Sequence, residues 1–361
     1  MVNSVYIHIP FCKSKCKYCS FTSFTNSEKI MGYLFSLLKE IDVNYNGEAL
    51  KTLYFGGGTP SLLSIDFVKK VISKFKLLPE CEITFEFNPD DCNLEYLQKL
   101  KELGINRLSI GSQTFNDNLL NFIGRRHSSK DIIKTIKTAQ EAGFSNRSVD
   151  LIYGLPNQTI EILKEDLRII TDLDIQHVST YGLKIEENSF FYLNPPKNLP
   201  DDDLQADMYL EINNTLENLG FKRYEISNFA KLGYESKHNL NYWNNAEYYG
   251  FGVAAHGYVE GVRYSNFTTL EEYMNSPATH ECGHFVTEQE KLEEEIFLGF
   301  RKAEGINIEK INNAFNINFN EKYDAIINKY SPEYVVKTDN GWTLTTEGVL
   351  LSNNILSDFI E

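Results

Sequence analysis

The chain has 361 residues, 42% of them hydrophobic and 24% charged, with a formal net charge of −15. That composition belongs to a globular protein with a large core and excludes collagen-like or disordered chains. The acidic balance makes nucleic acid a poor default partner, no apolar run approaches the roughly 18–20 residues of a membrane span, and MVNSVYIHIP lacks the pattern of a signal peptide.

From the N-terminus, short β-rich runs alternate with amphipathic stretches. Strands are expected at Val5–Ile9, Thr52–Phe55, Glu82–Phe87, Arg107–Ile110, Ser148–Ile152 and His177–Gly182. Helices are expected between them at Ser27–Val43, Ser64–Phe75, Leu94–Leu103, Lys130–Ala142 and Thr159–Leu173, with Gly104 and Gly143 placed to stop two of them. Five βα units and a sixth strand predict an α/β fold with a parallel sheet, open or partly closed into a barrel.

Beyond about residue 190, LNPPKNLPDDD reads as a linker, Leu204–Leu219 as a helix, and the stretch to about residue 285 as aromatic and glycine-rich with little helical period. A helical, acidic segment follows. Tyr334–Lys337 and Trp342–Thr346 flank Asp339-Asn340-Gly341, a hairpin signal. Helices followed by such a hairpin predict a winged-helix-like C-terminal domain. Residues 286–361 carry 14 acidic and 7 basic side chains, which argues for a structural or protein-partner role rather than DNA binding. The domain expectation is therefore 1–190, 191–285 and 286–361.

The unusual residues gather at strand ends. Cys12, Cys16 and Cys19, half of the chain's six cysteines, form a C-x3-C-x2-C loop after the first strand. Crowded thiols with no disulfide framework predict a metal site in a cytoplasmic protein. Three soft ligands suit a [4Fe–4S] cluster with one iron left open, or a zinc knuckle completed by a residue such as His8. Gly56-Gly57-Gly58-Thr59 follows the second strand and Glu86 closes the third. Gln113 ends the fourth, Arg125 lies beyond it, and Asp150 is in the fifth. In parallel βα folds such ends share one rim, where active sites are built. Glycines admit a ligand close to the backbone, Asp150 can accept from ribose hydroxyls, and Arg125 suits a carboxylate.

YIHIPFCKSKCKYC, FGGGTPS, EFNPD, RLSIGSQTF, VDLIYGLP and YEISNFA, in that order, closely resemble the HemN/HemW branch of the radical S-adenosylmethionine (SAM) superfamily, over essentially the whole chain. The resemblance implies a partial (β/α)6 barrel with a winged-helix-like C-terminal domain, and it removes zinc. It implies Cys12, Cys16 and Cys19 as cluster ligands. It also implies Tyr6, Gly57, Gly58, Thr59, Glu86, Gln113, Arg125 and Asp150 as the SAM positions.

The branch holds oxygen-independent coproporphyrinogen III oxidases, which perform radical decarboxylations in porphyrin biosynthesis, and haem chaperones. Three features point to the chaperones. Phe21 stands where the oxidases typically carry a fourth cysteine, only eleven residues precede Cys12, and His238-Asn239-Leu240-Asn241-Tyr242-Trp243 matches an HNxxYW motif associated with haem. His238 is the expected iron ligand, with Tyr242 and Trp243 offering flat faces and His256 a rival ligand. The resemblance further implies transfer of haem to acceptor haemoproteins such as respiratory enzymes, contact with the membrane during delivery, and a homodimer.

Overall fold

The computed structural model describes residues 2–360. Met1 and Glu361, the outermost residues of the expected first and third domains, lie outside the described residues. Six parallel strands form the centre of a nine-stranded sheet in sequential order: β1 (Ser4–Ile9), β2 (Ala49–Gly57), β3 (Lys76–Phe87), β4 (Arg107–Gln113), β5 (Asn146–Tyr153) and β6 (His177–Gly182). The crossovers carry α1 (Ile30–Asn44), α2 (Ile65–Ile72), α3 (Leu94–Glu102), α4 (Asp117–Phe122), α5 (Ser129–Glu141) and α6 (Ile160–Thr171). All six expected strands and five expected helices are present. The short α4, capped by Asn116, is the addition.

Parallel strands covered on both faces normally read as continuous apolar runs. Here they alternate. Ile83, Phe85, Phe87, Leu108, Ile110, Val149, Leu151 and Val178 belong to the core under the helices. The opposite face carries Glu86, Arg107, Ser109, Gln113, Asp150, Ser179 and Tyr181, which line one cavity. Period two on a covered sheet therefore marks a polar lumen rather than a solvent face.

The segment 191–285 is built into this barrel. α7 (Phe190–Leu193) and α8 (Asp202–Asn218) lead to β7 (Lys222–Arg223) and β8 (Asn228–Ala230), and β8 pairs antiparallel with β6. After α9 (Lys237–Trp243), β9 (Tyr249–Phe251) pairs parallel with β1. Both edges of the six-stranded core are thus covered. Strands of three residues are too short to show a period, so the sequence of this segment does not reveal the pairings. A small antiparallel sheet follows: β10 (His256–Val259), β11 (Val262–Ser265) and β12 (Cys282–Phe285), with α10 (Leu270–Asn275) between the last two.

The C-terminal domain packs α11 (Glu288–Arg301), α12 (Ile308–Phe315) and α13 (Phe319–Tyr330) around Leu292, Ile296, Phe300, Ile311, Tyr323 and Ile327. The expected hairpin is β14 (Val335–Lys337) and β15 (Gly341–Leu344), joined by the two-residue β13 (Ile306–Asn307) into the order β13-β15-β14. A Cβ on Gly341 would lie 2.2 Å from the Ile306 carbonyl oxygen, so glycine permits that strand contact.

α9 closes the lower end of the lumen. Its first amides, Lys237 N and His238 N, donate to Glu82 on β3 at 3.1 Å each, and the Ser236 hydroxyl caps Asn239 N. A carboxylate at a helix N-terminus satisfies otherwise orphaned donors. Replacing Glu82 by Ala is expected to lower unfolding stability by about 1–2 kcal/mol, measured by urea titration with an unchanged m-value.

Candidate functional site

The cysteine loop is fastened to the barrel at several points. Cys12 N donates to Phe24 O at 3.0 Å, Lys17 N to Ile123 O at 2.9 Å, and Phe191 N to Lys17 O at 2.9 Å. Lys13 pairs with Asp91 and lies 4.0 Å from Asp90, so the acidic turn after β3 holds the loop electrostatically, while Arg126 beyond α4 pairs with the same Asp90. Gly58 lies directly beneath it. A Cβ there would meet Phe11 O at 2.8 Å and Cys12 Sγ at 3.0 Å. The glycine run is needed for close approach of backbone to loop, whatever it offers a ligand.

Cys12, Cys16 and Cys19 are free, half-buried, and line the mouth of a cavity of about 570 Å3. Burial pushes the Cys12 thiol up and raises Cys19 to about 11, with the neighbouring cysteines adding to the rise. Metal coordination removes those protons outright, so such a loop gains by binding metal. The donor set fits iron–sulfur ligation. Among the described residues no three His, Cys, Asp or Glu side chains gather as one metal ion requires. His8, the alternative zinc ligand, is spent: its Nε2 bonds Thr22 O at 2.9 Å and its Nδ1 pairs with the Tyr6 hydroxyl at 3.0 Å. Burial lowers its pKa to about 4.

The same cavity brings together Gly57, Gly58, Thr59, Glu86, Gln113, Arg125 and Asp150, seven of the eight positions expected for SAM. Tyr6 is not among the lining residues, and its hydroxyl is held by His8. Arg125 donates to Asn88 Oδ1 at 2.9 Å and Gly111 O at 2.6 Å, and reaches Cys16 Sγ at 3.6 Å. A fixed guanidinium thus stands beside the thiols. Gln113 has φ of +68° beside an irregularity in the β4–β5 register, backbone strain of the kind held at functional sites. Glu86 accepts from Tyr54 Oη at 2.9 Å and Gly57 N at 3.1 Å, and burial raises its pKa to about 7. Asp150 accepts from Ser109 Oγ at 3.2 Å and is also raised by burial.

Six cations line the cavity, Lys13, Lys15, Arg107, Arg125, Arg126 and Lys184, against three carboxylates, Glu86, Asp150 and Glu186. In a chain of net charge −15 this is a local reversal that favours anionic ligands.

None of the residues expected for haem lines the cavity. His238 is 1% exposed. Its Nδ1 pairs with Thr52 Oγ1 and its Nε2 with Tyr242 Oη, both at 2.8 Å, and its ring stacks 5.0 Å from Tyr54. No nitrogen is left for iron in this conformation. Tyr242 meets Tyr248 edge-on at 4.6 Å, and neither it nor Trp243 lines the cavity. The motif residue that does is Asn239. His177 repeats the arrangement across the floor, paired with Ser148 Oγ at 2.7 Å and Tyr224 Oη at 2.8 Å. The rival, His256, is exposed at the start of β10. Sequence reasoning missed Tyr54, Arg107 and Asn239; their signal was polar alternation along β2 and β4 and adjacency to the motif histidine.

Residues 6–170 match the radical SAM superfamily and residues 286–351 the HemN C-terminal domain. The chain is 38% identical to heme chaperone HemW of Bacillus subtilis, over 99% of both chains. It is 36% identical to heme chaperone HemW of Lactococcus lactis, over 99% of this chain and 97% of that one. Among solved structures, coproporphyrinogen III oxidase (HemN) from Escherichia coli, a radical SAM enzyme, superposes with a TM-score of 0.87 at 23% identity, covering 99% of this chain and 90% of that one. The chain belongs to the radical SAM superfamily, in its HemN/HemW branch.

Burial, then the nearby Arg107, holds the His238 pKa at about 3, below the ordinary 6.5. Unfolding therefore takes up a proton between those values, and the stability His238 contributes at pH 7 is lost as pH falls through 6.5. The deficit of His238→Gln against the unaltered chain should shrink by roughly 2 kcal/mol between pH 7 and pH 5. Urea unfolding at both pH values checks this. A pH-independent deficit would mean an imidazole that titrates normally.

Proposed function

We propose that this chain is a haem chaperone, which carries a [4Fe–4S] cluster, binds SAM, and passes haem to acceptor haemoproteins. The observation that carries the reading is end-to-end similarity to proteins named heme chaperone HemW, on a chain whose three loop cysteines meet a cationic cavity. Cys12, Cys16 and Cys19 would hold the cluster. When bound and reduced, it supplies the electron that cleaves a sulfonium carbon–sulfur bond.

Arg125 offers its guanidinium to a carboxylate beside Cys16. Gly57 and Gly58 bring the backbone within reach of an amino group, and Thr59, Glu86 and Gln113 supply further polar contacts. Tyr6 acts behind them, through His8 and the wall of the cavity. Asp150, oriented by Ser109, is suited to ribose hydroxyls. Haem placement assigns His238, Tyr242 and Trp243 a part only if α9 withdraws, since the imidazole is otherwise consumed. His256 is the accessible imidazole.

Acceptors such as respiratory enzymes would be met at the membrane surface; no helix among the described residues is long and apolar enough to cross a membrane. A cytoplasmic location and a homodimer complete the proposal.

Anaerobic reconstitution with iron and sulfide should give the broad absorbance of a cubane, which Cys→Ala at position 12, 16 or 19 abolishes. The reconstituted protein should bind haem and surrender it to an apo-haemoprotein. Conversion of coproporphyrinogen III to protoporphyrinogen, with no haem transfer, would assign the oxidase reaction instead.

A further inference from the structure

The floor of the cavity holds a cation that neither the cluster nor the expected SAM contacts use. Arg107, the first residue of β4, lines the cavity yet is 2% exposed. Its Nε has no partner, and among the described residues it makes no side-chain hydrogen bond or ion pair. Guanidinium is always charged and presents a planar fork of donors. Burying it unpaired is unfavourable unless something anionic or ordered water completes it.

A second orphan sits beside it. Thr84 is the register partner of Arg107 on β3, is fully buried, and its Oγ1 also lacks a partner. Asn239 reaches the same cavity from α9, its backbone fixed by the Ser236 cap while its side chain has no hydrogen bond among the described residues. The adjacent carboxylates share the field of Arg107, which opposes the burial-driven rise in both, but among the described residues neither forms an ion pair with it. Glu86 is held by Tyr54 and Gly57, and Asp150 by Ser109. The adjacent imidazoles have both nitrogens bonded. Open donors thus converge at one end of an otherwise satisfied lumen.

We propose that the lumen floor is a carboxylate subsite, in which Arg107 receives a carboxylate with Asn239 alongside, separate from the Arg125 position at the cluster loop. The subsite deepens the functional reading above and rests on it. Of the two ligands of that reading, SAM has one carboxylate and Arg125 already meets it beside Cys16, so the group received at the floor is a propionate of haem.

The test pairs each ligand with a carboxylate-free counterpart, on reconstituted full-length protein: SAM against decarboxylated SAM, and haem against haem dimethyl ester. Arg107→Met should weaken haem by at least about ten-fold, leave haem dimethyl ester and both forms of SAM within two-fold, and be partly rescued by Arg107→Lys. Loss confined to haem assigns a propionate to the floor, and loss confined to SAM would overturn the subsite. Circular dichroism verifies that both variants fold. Affinities unchanged for all four ligands, or an equal loss for ligand and counterpart, would overturn the subsite and leave ordered water as the partner of Arg107. If the unaltered protein binds neither SAM nor haem, the functional reading falls together with the subsite.

Discussion

The architecture depends on closing a polar lumen from below without leaving it open to water. Strands β1 to β6 put hydroxyls, carboxyls, imidazoles and a guanidinium on the inner face, an arrangement that is unfavourable unless each group finds a partner. α9 supplies the closure. Glu82 fixes its first turn, Thr52 and Tyr242 hold both nitrogens of His238, and the Tyr54 ring lies against the imidazole. Across the floor, Ser148, His177 and Tyr224 repeat the hydroxyl–imidazole–phenol chain. With these two networks in place, Glu86, Arg107, Ser109, Gln113 and Asp150 open toward the cavity.

This interior sets opposing pH trends inside one fold. Burial raises Glu40, Glu86 and Glu225 to about 7, so folding holds protons there that the unfolded chain has lost, and stability falls as pH rises from about 4.5 to 7. Burial lowers His8 and His127 to about 4 and His238 to about 3, so stability rises with pH up to about 6.5. Between pH 4.5 and 6.5 the two sets oppose each other. The same burial that keeps the histidines neutral strengthens every charge interaction at the cavity, where the dielectric is low. A basic lining in an acidic protein is therefore effective over a short range and adds little at a distance, where salt screens it.

How much of this could be read from the sequence follows from period and chemistry. The six strands and five of the crossover helices were legible because each is long enough to show its repeat, and Gly104 and Gly143 end helices with φ of +93° and +90° as expected. The cysteine loop, the glycine run, Glu86, Arg125 and Asp150 were legible because strand ends in a parallel fold share a rim. β7, β8, β9 and β13 were not, being two or three residues long and stabilised only by pairing with distant strands. The hydrogen-bonded setting of His238 was hidden for a related reason. A histidine beside a tyrosine and a tryptophan has the same local sequence whether its nitrogens face iron or a threonine, and the deciding partner, Thr52, is 186 residues away. Arg107 was hidden differently: at the start of a strand it reads as a solvated edge residue, and only the alternation Arg107, Ser109, Gly111, Gln113 places it inside.

The C-terminal domain gains its meaning from the same floor. A winged-helix-like unit invites a nucleic-acid reading, but this one presents an excess of carboxylates and turns its packing inward. Tyr209 from α8 joins its core, and Tyr153 at the end of β5 packs against it. Lys302, just past α11, donates to Asn244 Oδ1 at 2.9 Å, at the residue that caps α9, and its backbone bridges to Glu225. Arg263 on β11 reaches Glu294 on α11 at 2.8 Å and Asn245 at 3.0 Å. The domain thus braces α9 from outside while Glu82 and Thr52 hold it from inside. A helix clamped from both sides keeps the floor shut in the resting state, and any movement that freed His238 for iron would have to loosen both clamps. Contact of the C-terminal domain with α9 through Lys302 and Asn244 gives the wing a structural role at the closed end of the lumen.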